Sequence, residues 1–139
     1  MNYLTESEIL RLDDIARQLR IDSINMIYKR QSGHPGGALS AAEIISALFF
    51  HKLRLKPEDP QWEGRDRFFL SKGHASAVLY AAMARRGFFP IDDLDRWGDL
   101  DCHLQGHPDR VKTPGIEMSA GPLGHGIAVG AGNALAAKK

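Results

Sequence analysis

The sequence predicts a mostly α-helical chain with long Gly/Pro-rich loops and few strands. Three observations carry that prediction. Two Ser/Thr-x-x-Glu signatures, Thr5 with Glu8 and Ser40 with Glu43, each introduce apolar residues at helical spacing. Many of the 14 glycines and 7 prolines gather between the periodic segments. Only Arg67 to Leu70 reads as a convincing strand. The length of 139 residues points to one domain spanning 1–139. Apolar residues at 43% and charged residues at 25% exclude disordered and collagen-like classes.

Taken in order, the first helix opens at the Thr5/Glu8 capping box. It continues through Ile9, Leu12, Ile15, Ala16 and Leu19, then less cleanly through Ile24, Met26 and Ile27 to about Arg30. Gln31 to Leu39 contains Ser32-Gly33-His34-Pro35-Gly36-Gly37 and is expected to be irregular, because glycine and proline both break helices. Ser40/Glu43 is expected to cap a second, more buried helix carrying Ile44, Ile45, Leu48 and Phe49. Lys56 to Arg65 reads as a surface loop, and the Arg67–Leu70 strand runs into Ser71-Lys72-Gly73-His74. A helix over about 75–86 should close at Gly87, with a short helix from Pro90 to Trp97. Gly98 to Gly121 lacks periodicity, and loops of that length are more often functional than ornamental. A Gly/Ala-rich helix closes the chain from Pro122, with Gly126 and Gly130 on one face for tight packing.

Charge and cysteine usage narrow the function classes. Lys plus Arg is 18 against 17 for Asp plus Glu, a net +1, which leaves no nucleic-acid or membrane footprint. The single Cys102 excludes an internal disulfide framework and fits a reducing compartment. Met1 to Glu8 shows no charged-then-apolar leader, and Ile127–Ala137 is too short to span a bilayer. The expectation is a soluble, cytoplasmic domain.

The histidines hold most of the chemical information. His34, His74, His107 and His125 each directly follow a glycine. Glycine lets the backbone turn sharply and leaves room for a ligand beside the ring. Imidazole hydrogen-bonds phosphate oxygens and moves protons near neutral pH. Four such pairs in loops point to one site collected from several loops. Singly, His34 and His107 read equally well as turn residues, whereas His74 after a strand is better placed for a ligand. His51, beside Lys52, is expected at the surface. Cys102, His103 and His107 are too few for a zinc set, and nothing marks Cys102 as a nucleophile. Ser119-Ala120-Gly121-Pro122-Leu123-Gly124-His125-Gly126 is a Gly-rich turn entering a helix. It reads either as an anion site at a helix N-terminus or as a tight helix cap; it is neither a P-loop nor a dinucleotide fingerprint.

In order, Ser32-Gly33-His34-Pro35-Gly36, Arg65-Asp66-Arg67-Phe68, Leu70-Ser71-Lys72-Gly73-His74-Ala75, Gly106-His107-Pro108 and Gly121-Pro122-Leu123-Gly124-His125-Gly126 closely resemble the start of transketolase. The resemblance runs from about residue 5 to the end and extends to the N-terminal subunit of split transketolases. It implies an α/β thiamine-diphosphate-binding fold, of which these residues form an incomplete N-terminal part. It implies transfer of a two-carbon ketol unit between sugar phosphates, with thiamine diphosphate and magnesium as cofactors. By the same resemblance His74 contacts the cofactor diphosphate, and Gly121, Pro122 and Leu123 form the turn along the cofactor. His34 and His107 are implied as catalytic and substrate-binding residues lining the substrate channel. The implied partners are the sugar-phosphate substrate and a C-terminal transketolase subunit or downstream segments, in a homo-oligomer or hetero-oligomer.

Some positions depart from the family pattern. Gly124-His125 stands where many members have Gly-Gln. No Gly-Asp-Gly metal motif occurs: Gly98-Asp99 is followed by Leu100 and lies too early. The magnesium ligands and the pyrimidine-binding domain are therefore expected outside these residues, and this polypeptide alone is expected to be inactive. The alternative expectation is a non-catalytic remnant or assembly module of the same fold.

Overall fold

The computed structural model describes residues 4–138. Met1–Tyr3, at the start of the stretch read as leader-free, and Lys139, the last residue of the final predicted helix, lie outside them. Helix α1 spans Glu6–Arg30, and its predicted capping box is formed. Glu8 N donates to Thr5 Oγ1 (3.3 Å) and Thr5 N donates to Glu8 Oε2 (2.8 Å), so each residue satisfies the other's free N–H. Leu12, Ala16, Leu19, Ser23 and Met26 make its buried stripe. Ile9 and Ile24, assigned by spacing to that stripe, lie on the exposed side. Ser23 serves instead because its hydroxyl donates to the Leu19 carbonyl one turn back (2.7 Å).

Several predicted boundaries are corrected. Pro35–Leu39 is a five-residue helix, α2, with Pro35 at its first position, where a missing N–H costs nothing. Helix α3 spans Ala42–Ala47, follows Ala41, and has no side-chain cap. The Ser40/Glu43 box does not form because both side chains have other partners. Ser40 Oγ donates to the Gly37 carbonyl (3.2 Å), and Glu43 pairs with Arg20 of α1. Half of α3 is buried, against five of twenty-five residues in α1, so the expected difference in burial holds. Its continuation, Leu48–Lys52, is a π-helical turn carrying exposed His51. Arg67–Leu70 is not a strand: no strand occurs among the described residues.

A 3-10 turn over Gly73–Ala75 leads into α4, Ser76–Arg85. Gly87 follows it at φ +90°, a left-handed conformation suited to glycine. Nine of the ten α4 residues are buried, making it the axis of the core. It packs against α1 and α3, with Leu19, Ile45, Tyr80, Met83 and Leu104 fully enclosed. The Ser46 hydroxyl ties α3 to α1 by donating to the Leu12 carbonyl (2.7 Å). Arg85 of α4 grips Asp22 of α1. Ile91–Arg96 is a 3-10 helix, with Pro90 just before it. Helix α5 spans His125–Ala136, three residues later than predicted, since Pro122–Gly124 remain in the turn. No described helix is long and apolar enough to cross a membrane.

Candidate functional site

Three of the four Gly-His pairs converge. The ring centroids of His34 and His74 lie 4.8 Å apart, and those of His74 and His107 lie 4.5 Å apart, both edge to face. His74 is the middle ring. His34 precedes α2, His74 sits in the 3-10 turn before α4, and His107 lies in the irregular segment after Gly98. His125, first residue of α5, is exposed and joins neither ring contact.

The glycines explain the convergence. Gly33 has φ +129°, and a Cβ there would stand 2.8 Å from Trp97 Cη2. Only glycine lets the chain turn toward His34 against that indole. A Cβ on Gly73 would stand 2.8 Å from Ala120 Cβ, so the backbone before His74 lies against the residue before Gly121. A Cβ on Gly126 would stand 2.7 Å from Ser71 Cα, and Gly126 N donates to Ser71 Oγ (3.2 Å). The start of α5 is thereby docked on the Ser71–Gly73 segment. Gly124 precedes α5 at φ +84°, and Ser71 Oγ takes the place of a local side-chain cap. Gly121 is half-buried, while Pro122 and Leu123 are exposed beside it.

Electrostatics single out His74 and His107. His74 Nδ1 is buried and has no hydrogen-bond partner. Such groups are rare, because leaving a polar atom unsatisfied costs about 1–3 kcal/mol. His107 is held below the ordinary imidazole range, first by burial and then by the neighbouring His74 and His34 rings. A neutral His107 beside a ring nitrogen lacking a partner suits an incoming anion or hydroxyl. Two features fit a diphosphate: a ring nitrogen without a partner among the described residues and a turn at Gly121 open enough that a Cβ would meet nothing within 4 Å.

Sequence reasoning missed the supports of this cluster. Ser76 Oγ donates to the Gly106 carbonyl (2.6 Å) and Tyr80 Oη to the His107 carbonyl (3.3 Å). Lys72 Nζ donates to the Gly37 carbonyl (3.1 Å) and to Ser40 Oγ (3.2 Å), tying the His74 segment to α2. Spacing signalled none of these ties except the lysine, which stands inside the Ser71–His74 motif. Cys102, His103 and His107 do not assemble. Cys102 is buried and accepts from Leu104 N, while His103 pairs with Asp93 (3.0 Å). Among the described residues no three of His, Cys, Asp and Glu are placed to hold a metal ion.

Rings from three segments thus surround a buried nitrogen, beside the docked start of α5, in an all-helical domain. Residues 12–139 match the family described as transketolase, thiamine diphosphate binding domain, and the chain belongs to that family. It is 40% identical over 131 residues to an apulose-4-phosphate transketolase subunit of Phocaeicola vulgatus, covering 94% of this chain and 46% of that protein. Against a 6-deoxy-6-sulfo-D-fructose transketolase subunit from Clostridium sp. strain MSTE9, identity is 42% over 123 residues, covering 88% and 44%. The fold matches Pichia stipitis transketolase in complex with sedoheptulose-7-phosphate at a TM-score of 0.85 and 38% identity, covering 90% of this chain and 18% of that one. The chain thus spans less than half the length of these relatives.

Proposed function

We propose that this chain supplies the diphosphate-binding side of a thiamine-diphosphate-dependent transketolase that transfers a two-carbon ketol unit between sugar phosphates. The observation that carries the reading is the buried, partnerless Nδ1 of His74 at the centre of three imidazoles, next to the Gly121 turn. His74 donates to a diphosphate oxygen, and Gly121, Pro122 and Leu123 lie along the cofactor. His34 and His107 hold substrate hydroxyls and move protons at substrate oxygens. Thiamine diphosphate, when bound, supplies carbanion stabilisation. Magnesium belongs to the same proposal, with its ligands outside these residues. The completing partner is a second, pyrimidine-binding subunit or segment, and the assembly is cytoplasmic.

Calorimetric titration of thiamine diphosphate with magnesium, with and without that partner, tests the proposal. Saturable binding in at least one arm is expected, and His74→Ala should weaken it by about tenfold through loss of a charge-assisted hydrogen bond. Absence of binding in both arms overturns the reading and leaves an assembly module. His107→Ala should lower turnover of the completed enzyme while cofactor affinity holds; a matching loss of affinity would move His107 to the diphosphate.

The lowered His107 titration also has a stability consequence. Below pH 6.5, its ordinary value, the unfolded chain takes up the proton first. Stability is therefore lost as pH falls through that region. Urea unfolding at pH 7.5 and 5.5 should show the drop, and His107→Gln should reduce it.

A further inference from the structure

His34 and His107 each meet the His74 ring, yet they stand on segments far apart in the sequence. Trp97 touches both segments. Its Nε1–H donates to the Gln105 carbonyl (3.1 Å), two residues before His107. The far edge of the same indole lies against Gly33, immediately before His34. A Cβ on that glycine would stand 2.8 Å from Trp97 Cη2 and 3.3 Å from Cζ3. Trp97 is only 5% exposed. A buried indole N–H needs an acceptor, and the bicyclic ring is a rigid spacer with two side-chain torsions.

The bond to Gln105 belongs to a continuous set. Four consecutive carbonyls of the irregular segment each accept from a donor outside it. Gly98 N donates to the Leu104 carbonyl (2.8 Å), and Trp97 Nε1 serves Gln105. Ser76 and Tyr80 of α4 serve Gly106 and His107. The segment is thus gripped by α4 and by the Trp97–Gly98 corner that follows the 3-10 helix Ile91–Arg96. Trp97 is the donor in this set that also reaches the turn before His34.

We propose that Trp97 is a positioning residue that sets where His107 stands relative to His34. Its N–H fixes the approach to His107, and its outer ring edge fixes the turn before His34. A displacement of either segment therefore passes to the other through one rigid ring. The bearing on catalysis rests on the transketolase reading, in which both imidazoles act on one substrate. There a misplacement of about 1 Å can cost about 100-fold in rate.

The test is NMR on the 139-residue chain, with the Trp97 Nε1–H and the His107 ring protons as reporters. The Trp97 Nε1–H should exchange with solvent about tenfold more slowly than that of half-buried Trp62, the effect of one net hydrogen bond. Equal exchange overturns the proposal, and this comparison decides even where a variant does not fold. Gly33→Ala presses on the indole and should shift both reporters, although the change lies beside His34. Trp97→Phe lacks the N–H and the outer ring edge, so in that background Gly33→Ala should no longer reach His107. In His74→Ala it should still do so, because the path does not run through the histidine rings. Silence at His107 in Gly33→Ala, a response that survives Trp97→Phe, or one that vanishes in His74→Ala overturns the proposal. With the completing partner supplied, Trp97→Phe should lower turnover about tenfold or more while thiamine diphosphate affinity holds. An equal loss of affinity also overturns it. The reporters are read without cofactor, so a chain that shows the transmission yet binds no thiamine diphosphate would sink the cofactor reading and leave the Trp97 link standing.

Discussion

Helices α4 and α5 are built from similar material and treated oppositely by the fold. One comes just after the Gly73-His74 pair and the other begins at His125 of Gly124-His125, and both are rich in alanine and aliphatic residues. Nine of ten α4 residues are buried, whereas Gly126 alone is buried among the twelve of α5. Ile127 stands 76% exposed and Leu135 67%. Apolar composition therefore announces a helix without saying what covers it. The α4 side chains interlock with α1 and α3, while α5 is held at one end by glycine contacts with Ser71 and Phe69. One helix is the centre of the core, and the other is positioned by close backbone approach.

The sharpest way to break that contrast is Tyr80→Ala in α4. Emptying a fully buried aromatic site should cost about 3–5 kcal/mol, read by urea unfolding. A cost below about 1 kcal/mol, as for an ordinary surface site, would remove α4 from the centre of the core. Gly126→Ala should come next, at about 1–3 kcal/mol, because its methyl would press on the Ser71 backbone. It should also disturb amide signals of Ser71–His74; silence there would mean the helix end is not docked. Tyr80→Phe keeps the ring and loses the hydroxyl's hydrogen bonding, the bond to the His107 carbonyl included, so about 1 kcal/mol is expected. Ile127→Ser, on the open side of α5, should stay within about 0.5 kcal/mol, and a larger loss would show that α5 is packed after all.

The same contrast explains what was legible in the sequence. The Thr5/Glu8 box formed because, among the described residues, no distant residue hydrogen-bonds either side chain. The identical Ser40/Glu43 pattern failed because Arg20, twenty-three residues away, takes the carboxylate. Local motifs hold until a long-range partner outcompetes them. The Arg67–Leu70 segment has strand-like chemistry, but pairing is a property of two segments, and none of the described residues pairs with it. In the site, glycine next to histidine was readable because it marks a backbone need. The sequence could not show that the His34, His74 and His107 rings would meet edge to face while His125 stayed apart, since that depends on how α2, α4 and the loop meet. The Asp93–His103 pair was invisible for the same reason.

The two hydroxyls that reach from α4 to the Gly106 and His107 carbonyls lie four residues apart, one above the other on the same helix face. The His107 imidazole, on an irregular segment, thus inherits its coordinates from the most buried helix in the structure. Beyond that anchorage, the segment reaches the solvent-facing tip at Val111. Its length and composition there are free to drift through insertion, deletion or grafting, and an engineer could rebuild the tip while the ring stays in register.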